Sequence, residues 1–317
     1  MREFDLIARI RERVASRGDV VLGIGDDAAL LQVPDGMQLV VAMDTLNDGV
    51  HFPIGTAPGD IGWKALAVNL SDLAAMGAHP AWCTLSLSLP TPDRAWVDGF
   101  LDGFFALASE HDVALVGGDT THGPLSVCVT AHGLVEPGRA LRRDGARVGD
   151  DIWITGNVGD AAAALSLLQR SERVPDPLRA RLDRPMPRIA TGRALHGLAH
   201  ACIDVSDGVL ADLGHVCAAS GVGARIDVDA LPASEALCAL SLDAGTRRQW
   251  QAAGGDDYEL CFTTDPARRS ELDATLSRLG VDASRIGVVV ANPGIVAHDA
   301  DGSAWQPSAT GYVHFSD

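Results

Sequence analysis

The feature that most constrains this chain is a short recurring unit: a few apolar residues of strand type, then a turn in which aspartate stands beside glycine or a hydroxyl residue. Open α/β sheets bind ligands at the carboxyl ends of their strands, so acids repeated at strand ends predict one shared site. A further acid, Asp72, is predicted on a helix, where it shares a face with Asn69 at the i, i+3 spacing. The five turns carry Asp26 and Asp27, Asp44, Asp119, Asp204 and Asp207, and Asp256 and Asp257.

Carboxylates that converge on one site repel one another unless they are protonated or neutralised by a cation. Mg²⁺ prefers oxygen ligands and is commonly held by carboxylates together with substrate phosphates. Glycines beside the acids allow backbone N–H groups to approach phosphate oxygens. The pattern therefore predicts a site for magnesium and a nucleotide.

Apolar periodicity predicts helices mixed with strands in both halves of the chain, which indicates the α/β or α+β class with two lobes. A stretch rich in glycine, proline and charge over 136–151 predicts a boundary between domains at 1–137 and 138–317. In the first domain we predict helices over 3–16, 60–76 and 93–110, strands over 20–22, 39–42, 83–89, 114–116 and 126–135, and turns at 43–52 and 117–123. In the second we predict helices over 159–170, 188–200, from about 208, and over 266–279, and strands over 152–155, 202–205, 224–228, 286–290 and after 260.

Charge and composition exclude several classes of protein. The 317 residues carry 42 acidic and 25 basic side chains, a net charge of −17, and nucleic acid is excluded as a partner because phosphate binding needs a basic face. No apolar run reaches the roughly 18 residues of a membrane span. Charges interrupt the apolar stretches of the N-terminal segment, which excludes a secretory signal. The six cysteines form no CxxC pair, which argues against a zinc ribbon. We expect a cytoplasmic protein that does not bind membranes.

The common nucleotide-binding motifs are absent from the sequence. It contains no GxxxxGK followed by Ser or Thr, and its GIGDDA segment is not a dinucleotide-binding GxGxxG. The HRD and DFG motifs of protein kinases are also missing. P-loop and protein-kinase folds are therefore excluded.

Longer motifs do identify a family. They run in order along nearly the whole chain: GIGDDAAL, DTLNDGVHF, KALAVNLSDLAAMGAHPAW, GGDTTHGPLS, GRALRRDGARVGDDIWITG, IDVSDGVLADLGH and GGDDYELCF. Together they resemble the thiamine-monophosphate kinases, whose relatives include aminoimidazole ribonucleotide synthetases. The resemblance implies the two-domain fold of those synthetases, in a homodimer whose N-terminal domains pair their sheets and whose α/β C-terminal domains cover the nucleotide. It also implies transfer of the γ-phosphoryl group of ATP, with Mg²⁺, to thiamine monophosphate.

The resemblance also implies roles for individual residues. Asp44, Asp119 and Arg143 are implied in catalysis, with Arg142 as the alternative to Arg143. The implied ATP contacts are Gly118, Asp119, Arg143 and Ser206, and the implied contacts of thiamine monophosphate are His51, Asp256 and Tyr312. The implied metal ligands are Asp27, Met43, Asp44, Asp72, Asp119, Asp204 and Asp207.

Two motifs depart from the family pattern. Ala42 and Met43 precede Asp44, where the family often has Ser or Thr, so a metal contact at Met43 can use only its backbone carbonyl. Asp256 replaces the usual glutamate of GGEDYEL and is one methylene shorter.

Other functions stay open at the level of the sequence. Another ATP-dependent enzyme of the same fold is one alternative. Selenophosphate synthetases, however, need a reactive cysteine near the N-terminus, and the first cysteine here is Cys83. A nucleotide-binding regulator without turnover is the alternative from another class, and the departures at Ala42, Met43 and Asp256 are its only support.

Overall fold

The computed structural model describes residues 3–312, and these residues form two compact units. The first unit holds the described residues of Met1–Leu73 and Ala78–Gly138, and the second holds those of Ala74–Gly77 and Arg139–Asp317. Over the described residues, no helix has the length and apolar character needed to cross a membrane.

The first unit is built on a four-stranded sheet with the strand order β3-β6-β4-β5, in which only β4 and β5 run parallel. A separate antiparallel pair joins β1 to β2. Apolar residues of β4, β5 and β6, among them Trp82, Val116 and Leu134, form a core that also packs against Leu31 and Met37. The elements of this unit are α1 (Glu3–Arg13), β1 (Val20–Leu22), β2 (Leu30–Leu31), β3 (Gln38–Asn47), α2 (Pro58–Ala75), β4 (His79–Leu89), α3 (Arg94–Glu110), β5 (Ala114–His122) and β6 (Ser126–Val135).

Helices α2 and α3 approach each other closely. A Cβ at Gly103 of α3 would lie 1.7 Å from the carbonyl oxygen of Gly59, so only glycine fits at this crossing. Helix α2 is apolar and buried on nearly all sides, which is typical of a helix enclosed by other elements. Its residues Asn69 and Asp72 are therefore carried on a rigid support.

The second unit is built on a seven-stranded sheet with the order β13-β12-β9-β11-β7-β10-β8, in which only β12 and β9 run parallel. Ile154, Ile203, Leu213 and Val289 lie in its main core. Its elements are β7 (Asp151–Thr155), α4 (Asp160–Gln169), α5 (Asp176–Asp183), α6 (Ile189–Ala194), β8 (Ala199–Asp204), α7 (Val209–Ser220), β9 (Gly223–Asp227), α8 (Glu235–Cys238), α9 (Ala244–Ala253), β10 (Leu260–Thr264), α10 (Arg269–Leu279), β11 (Ala283–Val290), β12 (Gly294–His298) and β13 (Ala304–Trp305), with 3-10 turns at Val228–Ala230 and Pro266–Arg268.

Several predicted boundaries were wrong. Strand β3 continues through Asn47, and β5 continues through His122, so Asp44 and Asp119 lie within strands rather than in turns. The helix predicted over 188–200 ends at Ala194, because residues from Ala199 onward pair with β10. Asp204 alone of the predicted ligands is the last residue of a strand.

Candidate active site

Asp44 lies on β3, where its backbone is fixed by helix α2. Its N–H donates to Oδ1 of Asn69 at 3.0 Å, and Nδ2 of Asn69 donates in turn to the carbonyl of Ala65 at 3.0 Å. Asn69 is fully buried, so both of its hydrogen bonds are shielded from water. Burial raises the pKa of the Asp44 carboxyl, and a positive charge on the nearby ring of His51 would lower it in part. A half-buried carboxylate of this kind is stabilised by any cation that binds beside it.

His51 has a defined tautomer in this structure. Its Nδ1 accepts a hydrogen bond from the N–H of Asn47 at 2.9 Å. An accepting Nδ1 carries no proton, so the neutral ring carries its proton on Nε2. The half-buried ring therefore presents an N–H donor at Nε2, which suits an anionic oxygen.

Gly118 and Asp119 lie on β5, beside β4. Gly118 has a φ of +152°, and a Cβ there would lie 1.8 Å from the carbonyl oxygen of Leu85, so glycine is required by the sheet itself. Both residues line a cleft of about 1190 Å³ within the first unit. The other walls of the cleft come from helix α1 and from the loop that carries Asp27. The cleft therefore joins two of the predicted acidic segments, at Asp27 and at Asp119.

The predicted ligands of the first unit do not form a ready-made metal cage. Asp27 and Asp119 are exposed, whereas Asp72 is half-buried on α2. Over residues 3–312, no group of three or more His, Cys, Asp or Glu side chains is arranged to hold a metal ion. Magnesium does not require such a cage, because it commonly binds one or two carboxylates, water and substrate phosphates.

Met43 is placed differently from Asp44. Its side chain is 64% exposed and, since side chains alternate along a strand, lies on the face opposite to the Asp44 carboxyl. The N–H of Asp44 points to Asn69. The carbonyl of Met43 belongs to the same planar peptide and points in the opposite direction, toward the paired strand β6. The only ligand atom that Met43 offers to a metal is thus directed into the sheet.

In the second unit, Asp204 ends strand β8, and Ser206 and Asp207 belong to the loop between β8 and α7. A single oxygen, Oδ2 of Asp212, accepts the N–H groups of Ser206, Asp207 and Gly208 at 3.0, 3.0 and 3.1 Å. Burial raises the pKa of Asp212 to about 7, and the charge of Asp204 adds to the effect, while the N–H donors oppose it. Asp212 therefore organises the loop from the first turn of α7.

Asp256 lies in the loop that precedes β10, in a left-handed backbone conformation with a φ of +69°. Aspartate tolerates this conformation better than most residues do. Its N–H donates to the carbonyl of Ser206 at 2.8 Å, and its Oδ1 accepts the hydroxyl of Tyr258 at 3.0 Å. The loops that carry Ser206 and Asp256 thus form one hydrogen-bonded structure.

A buried ionic network fixes the end of the Asp256 loop. The carboxylate of Glu259 is fully buried and accepts Nε of Arg188 at 2.6 Å, Nη2 of Arg181 at 2.7 Å and the hydroxyl of Thr155 at 2.6 Å. Burial would lower the pKa of Arg188, but its hydrogen bond and charge interaction with Glu259 outweigh burial and raise it. The hydroxyl of Thr155 also accepts the N–H of Leu260 at 2.8 Å.

The two candidate arginines differ in their partners. Arg142 donates to both carboxylate oxygens of Asp144, at 2.8 and 2.5 Å. The Arg143 side chain is exposed, and within the described part of the chain its guanidinium has no hydrogen bond or ion pair. Of the two, Arg143 is the arginine able to take an anionic ligand without breaking an existing pair.

Tyr312, the last described residue, is hydrogen-bonded to the loop between β8 and α7. Its N–H donates to the carbonyl of Asp207 at 3.1 Å, and its ring is 48% exposed. The structure therefore places Ser206, Asp207, Asp256 and Tyr312 on connected segments of the second unit.

Sequence reasoning missed the residues that hold this site in place. Asp212, Glu259, Arg188 and Arg181 were assigned no role, and Asn69 was noted only for its place on a helix face. For Asp212 a local signal was present, because acids in the first turn of a helix are favoured by its free N–H groups. The arginines of the Glu259 network come from distant segments, and no local signal marks them.

Comparisons with known proteins identify the family of this chain. AIR synthase related protein, N-terminal domain, matches residues 25–135, and AIR synthase related protein, C-terminal domain, matches residues 147–300. The thiamine-monophosphate kinase of Salmonella typhimurium is 48% identical over 320 residues, covering 99% of this chain and 98% of that protein. The chain belongs to the thiamine-monophosphate kinase family.

Two solved structures extend this finding. The crystal structure of thiamine-monophosphate kinase from Stenotrophomonas maltophilia K279a has a TM-score of 0.89 and 54% identity, covering 96% of this chain and 98% of that one. AaThiL complexed with AMPPCP and TMP has a TM-score of 0.78 and 32% identity, covering 99% of both chains. The predicted fold and the predicted ATP-dependent phosphorylation of thiamine monophosphate are confirmed.

Proposed function

We propose that this enzyme transfers the γ-phosphoryl group of ATP directly and in line to a phosphate oxygen of thiamine monophosphate, forming thiamine diphosphate and ADP with Mg²⁺ as cofactor. The observation that carries the proposal is the match, over 99% of both chains, to the relative complexed with AMPPCP and TMP. The strand and loop positions of the acidic motifs in both units support it.

The donor set fits magnesium, because it consists of carboxylates that leave room for water and phosphate oxygens. In the first unit Asp27, Asp44, Asp72 and Asp119 would hold the metal, whereas the Met43 carbonyl, which points toward β6, would not. In the second unit Asp204 and Asp207 would do so. When bound, Mg²⁺ supplies positive charge to phosphate oxygens, which a chain with a net charge of −17 does not otherwise offer.

We assign the ATP contacts to Gly118, Asp119, Arg143 and Ser206. Gly118 and Asp119 line the cleft of the first unit, and Ser206 lies on the loop organised by Asp212 in the second. We assign the cationic contact to Arg143 rather than to Arg142, because Arg142 is already paired with Asp144. In this role the guanidinium of Arg143 stabilises the charge that develops on the departing ADP.

Thiamine monophosphate is assigned to His51, Asp256 and Tyr312. The Nε2–H of His51 is suited to donate to a phosphate oxygen, since Nδ1 is occupied by a backbone N–H. The Asp256 carboxylate, tied to the Tyr258 hydroxyl, is suited to the cationic ring system of thiamine. The exposed ring of Tyr312 offers an apolar surface to the same ligand.

The reaction needs positioning rather than a strong base. The acceptor oxygen belongs to a phosphate that is already ionised, so no proton has to be removed before attack. Asp44, whose backbone N–H is held by Asn69, would therefore contribute by orienting the reactants and by keeping their charges neutralised. We assign no general base.

We also propose a homodimer formed through the N-terminal sheets. On β3, which is an edge strand, Leu39, Val41 and Met43 share one face and are 46%, 56% and 64% exposed. A row of exposed apolar side chains on an edge strand is a surface that natural proteins usually cover. A second copy of this chain is the occupant we assign to it.

We place the enzyme in the cytoplasm. ATP, its co-substrate, is a cytoplasmic metabolite, and all six cysteines are free thiols, as is usual in a reducing compartment.

A comparison of acceptors tests the proposed chemistry. The purified protein is assayed with ATP and MgCl₂ against thiamine monophosphate and against free thiamine, following both ADP release and the thiamine product. Thiamine should be a poor acceptor, because its hydroxyl lies one phosphate short of the in-line position. Comparable rates with the two acceptors would overturn the assignment, and nucleotide binding without ADP release would indicate a regulator.

A further inference from the structure

The loop between β8 and α7 is held by an unusual arrangement of hydrogen bonds. Oδ2 of Asp212 accepts three consecutive backbone N–H groups, from Ser206, Asp207 and Gly208, all within 3.1 Å. The side chain is 3% exposed, so water does not compete for these donors. The loop and the first turn of α7 are thereby closed onto one buried carboxylate oxygen.

Consecutive N–H groups at the start of a helix form a concavity that commonly binds phosphate. In this chain the concavity is filled from within by the Asp212 carboxylate. Its backbone N–H groups are therefore already occupied. The groups that this loop can offer to a ligand are the side chains of Ser206 and Asp207.

The opposite side of the loop is held without Asp212. The carbonyl of Ser206 accepts the N–H of Asp256, and Val205 exchanges backbone hydrogen bonds with Tyr258 and Glu259, all at 2.8 Å. Loss of the Asp212 contacts would therefore release only the N–H side of residues 206–208. The expected consequence is a change in the direction of two side chains rather than loss of the fold.

We propose that Asp212 is a positioning residue for the nucleotide: it fixes the backbone of residues 206–208 and thereby the directions of the Ser206 and Asp207 side chains. This inference rests on the proposed function, which gives those two side chains their roles at ATP and the metal. Asp212 itself touches neither substrate nor metal in this account.

The test compares three variants by two measurements. Asp212→Asn keeps an oxygen acceptor in place, whereas the shorter hydroxyl of Asp212→Ser cannot reach all three donors. Asp243→Ser is the matched control, because Asp243 caps helix α9 in the same unit, where its two carboxylate oxygens accept the N–H of Thr246 at 2.9 Å and the hydroxyl of Thr246 at 2.6 Å. Hydrogen exchange at the amides of 206–208 is measured first, and then calorimetric binding of a non-hydrolysable ATP analogue with MgCl₂.

Asp212→Ser should speed hydrogen exchange at the amides of 206–208. It should also weaken binding of the ATP analogue about tenfold, a loss that is common when a residue that orients a ligand contact is removed. Asp212→Asn should stay within about threefold of wild type, and Asp243→Ser should match wild type in both measurements. In the activity assay, Asp212→Ser should raise the KM for ATP more than that for thiamine monophosphate.

Faster exchange with unchanged analogue binding would overturn the proposal, and so would equal damage by Asp212→Asn and Asp212→Ser. If Asp212→Ser does not fold, the Asp212→Asn variant still decides, because a loss of analogue binding in a folded Asn variant contradicts the acceptor role. Failure of the proposed function is seen separately, as absence of thiamine diphosphate from the wild-type assay.

Discussion

Replacing Glu259 by glutamine should destabilise the second unit strongly. The carboxylate is fully buried and accepts hydrogen bonds from Arg188, Arg181 and Thr155. Glutamine offers one oxygen acceptor and an NH₂ donor, so at least one arginine N–H would face another donor. Arg181 and Arg188 would also lose the negative charge that balances them. Breaking a buried ion pair from one side costs about 3–5 kcal/mol. Because Arg181 and Arg188 are 21% and 25% exposed and can be partly hydrated, we expect the lower end, about 3 kcal/mol.

Calorimetric melting of the purified protein measures this effect. For a unit of this size, about 3 kcal/mol corresponds to a fall in Tm of roughly 6–12 °C. The control is Glu271→Gln, which breaks the exposed i, i+3 pair with Arg268 and should cost less than about 0.5 kcal/mol. A Tm for Glu259→Gln within about 2 °C of wild type, or equal to that of the control, would refute the claim that this network fixes the end of the Asp256 loop.

Substitutions at three further positions give separate tests. Asp44→Asn should abolish nearly all turnover, because it removes a metal ligand. It should not lower the Tm of the nucleotide-free protein, because burial already disfavours the charged form of Asp44. Wild-type turnover in a steady-state assay would contradict the role of Asp44 as a metal ligand. Asp256→Glu should keep activity, while Asp256→Ala should raise the KM for thiamine monophosphate more than that for ATP. A change confined to the ATP parameters would mean that this loop contacts the nucleotide rather than thiamine monophosphate. Burial raises the pKa of Asp160, so this carboxyl binds its proton more tightly in the folded protein than in the unfolded chain. The contribution of Asp160 to the free energy of unfolding therefore falls as the pH rises above about 4. Asp160→Asn, which keeps an acceptor for the Ser234 hydroxyl, should therefore show a smaller loss of Tm between pH 4 and pH 7 than wild type, and identical pH profiles would count against this.

Much of the fold could be predicted from periodicity. Helices α2 and α3 were placed within two residues, because their apolar residues follow the helical repeat and Gly77 stands just beyond the end of α2. Helix α9 was missed, since its sequence AGTRRQWQAA carries few apolar residues. Strand β5 was predicted to end before Gly117 because paired glycines indicate a turn, whereas contact with β4 decides that Gly118 stays in the strand.

The site could be predicted as a set of motifs but not as a geometry. The motifs predicted Asp44 and Asp119 in turns, yet both lie within strands, because pairing with β6 and β4 extends beyond the apolar runs. The tautomer of His51 and the engagement of Arg142 by Asp144 depend on hydrogen bonds that no pattern of residue types specifies. These contacts decide which ring nitrogen of His51 carries the proton and which of the two arginines is already paired.

The most direct test of the account follows the phosphorus atom itself. The purified protein is incubated with MgCl₂, thiamine monophosphate and ATP labelled at the γ-phosphorus, and the thiamine product is isolated. Direct transfer predicts that the label is recovered in the terminal phosphate of thiamine diphosphate, in equal amount to the ADP formed. Label found only in inorganic phosphate, or thiamine diphosphate formed without label, would contradict the account.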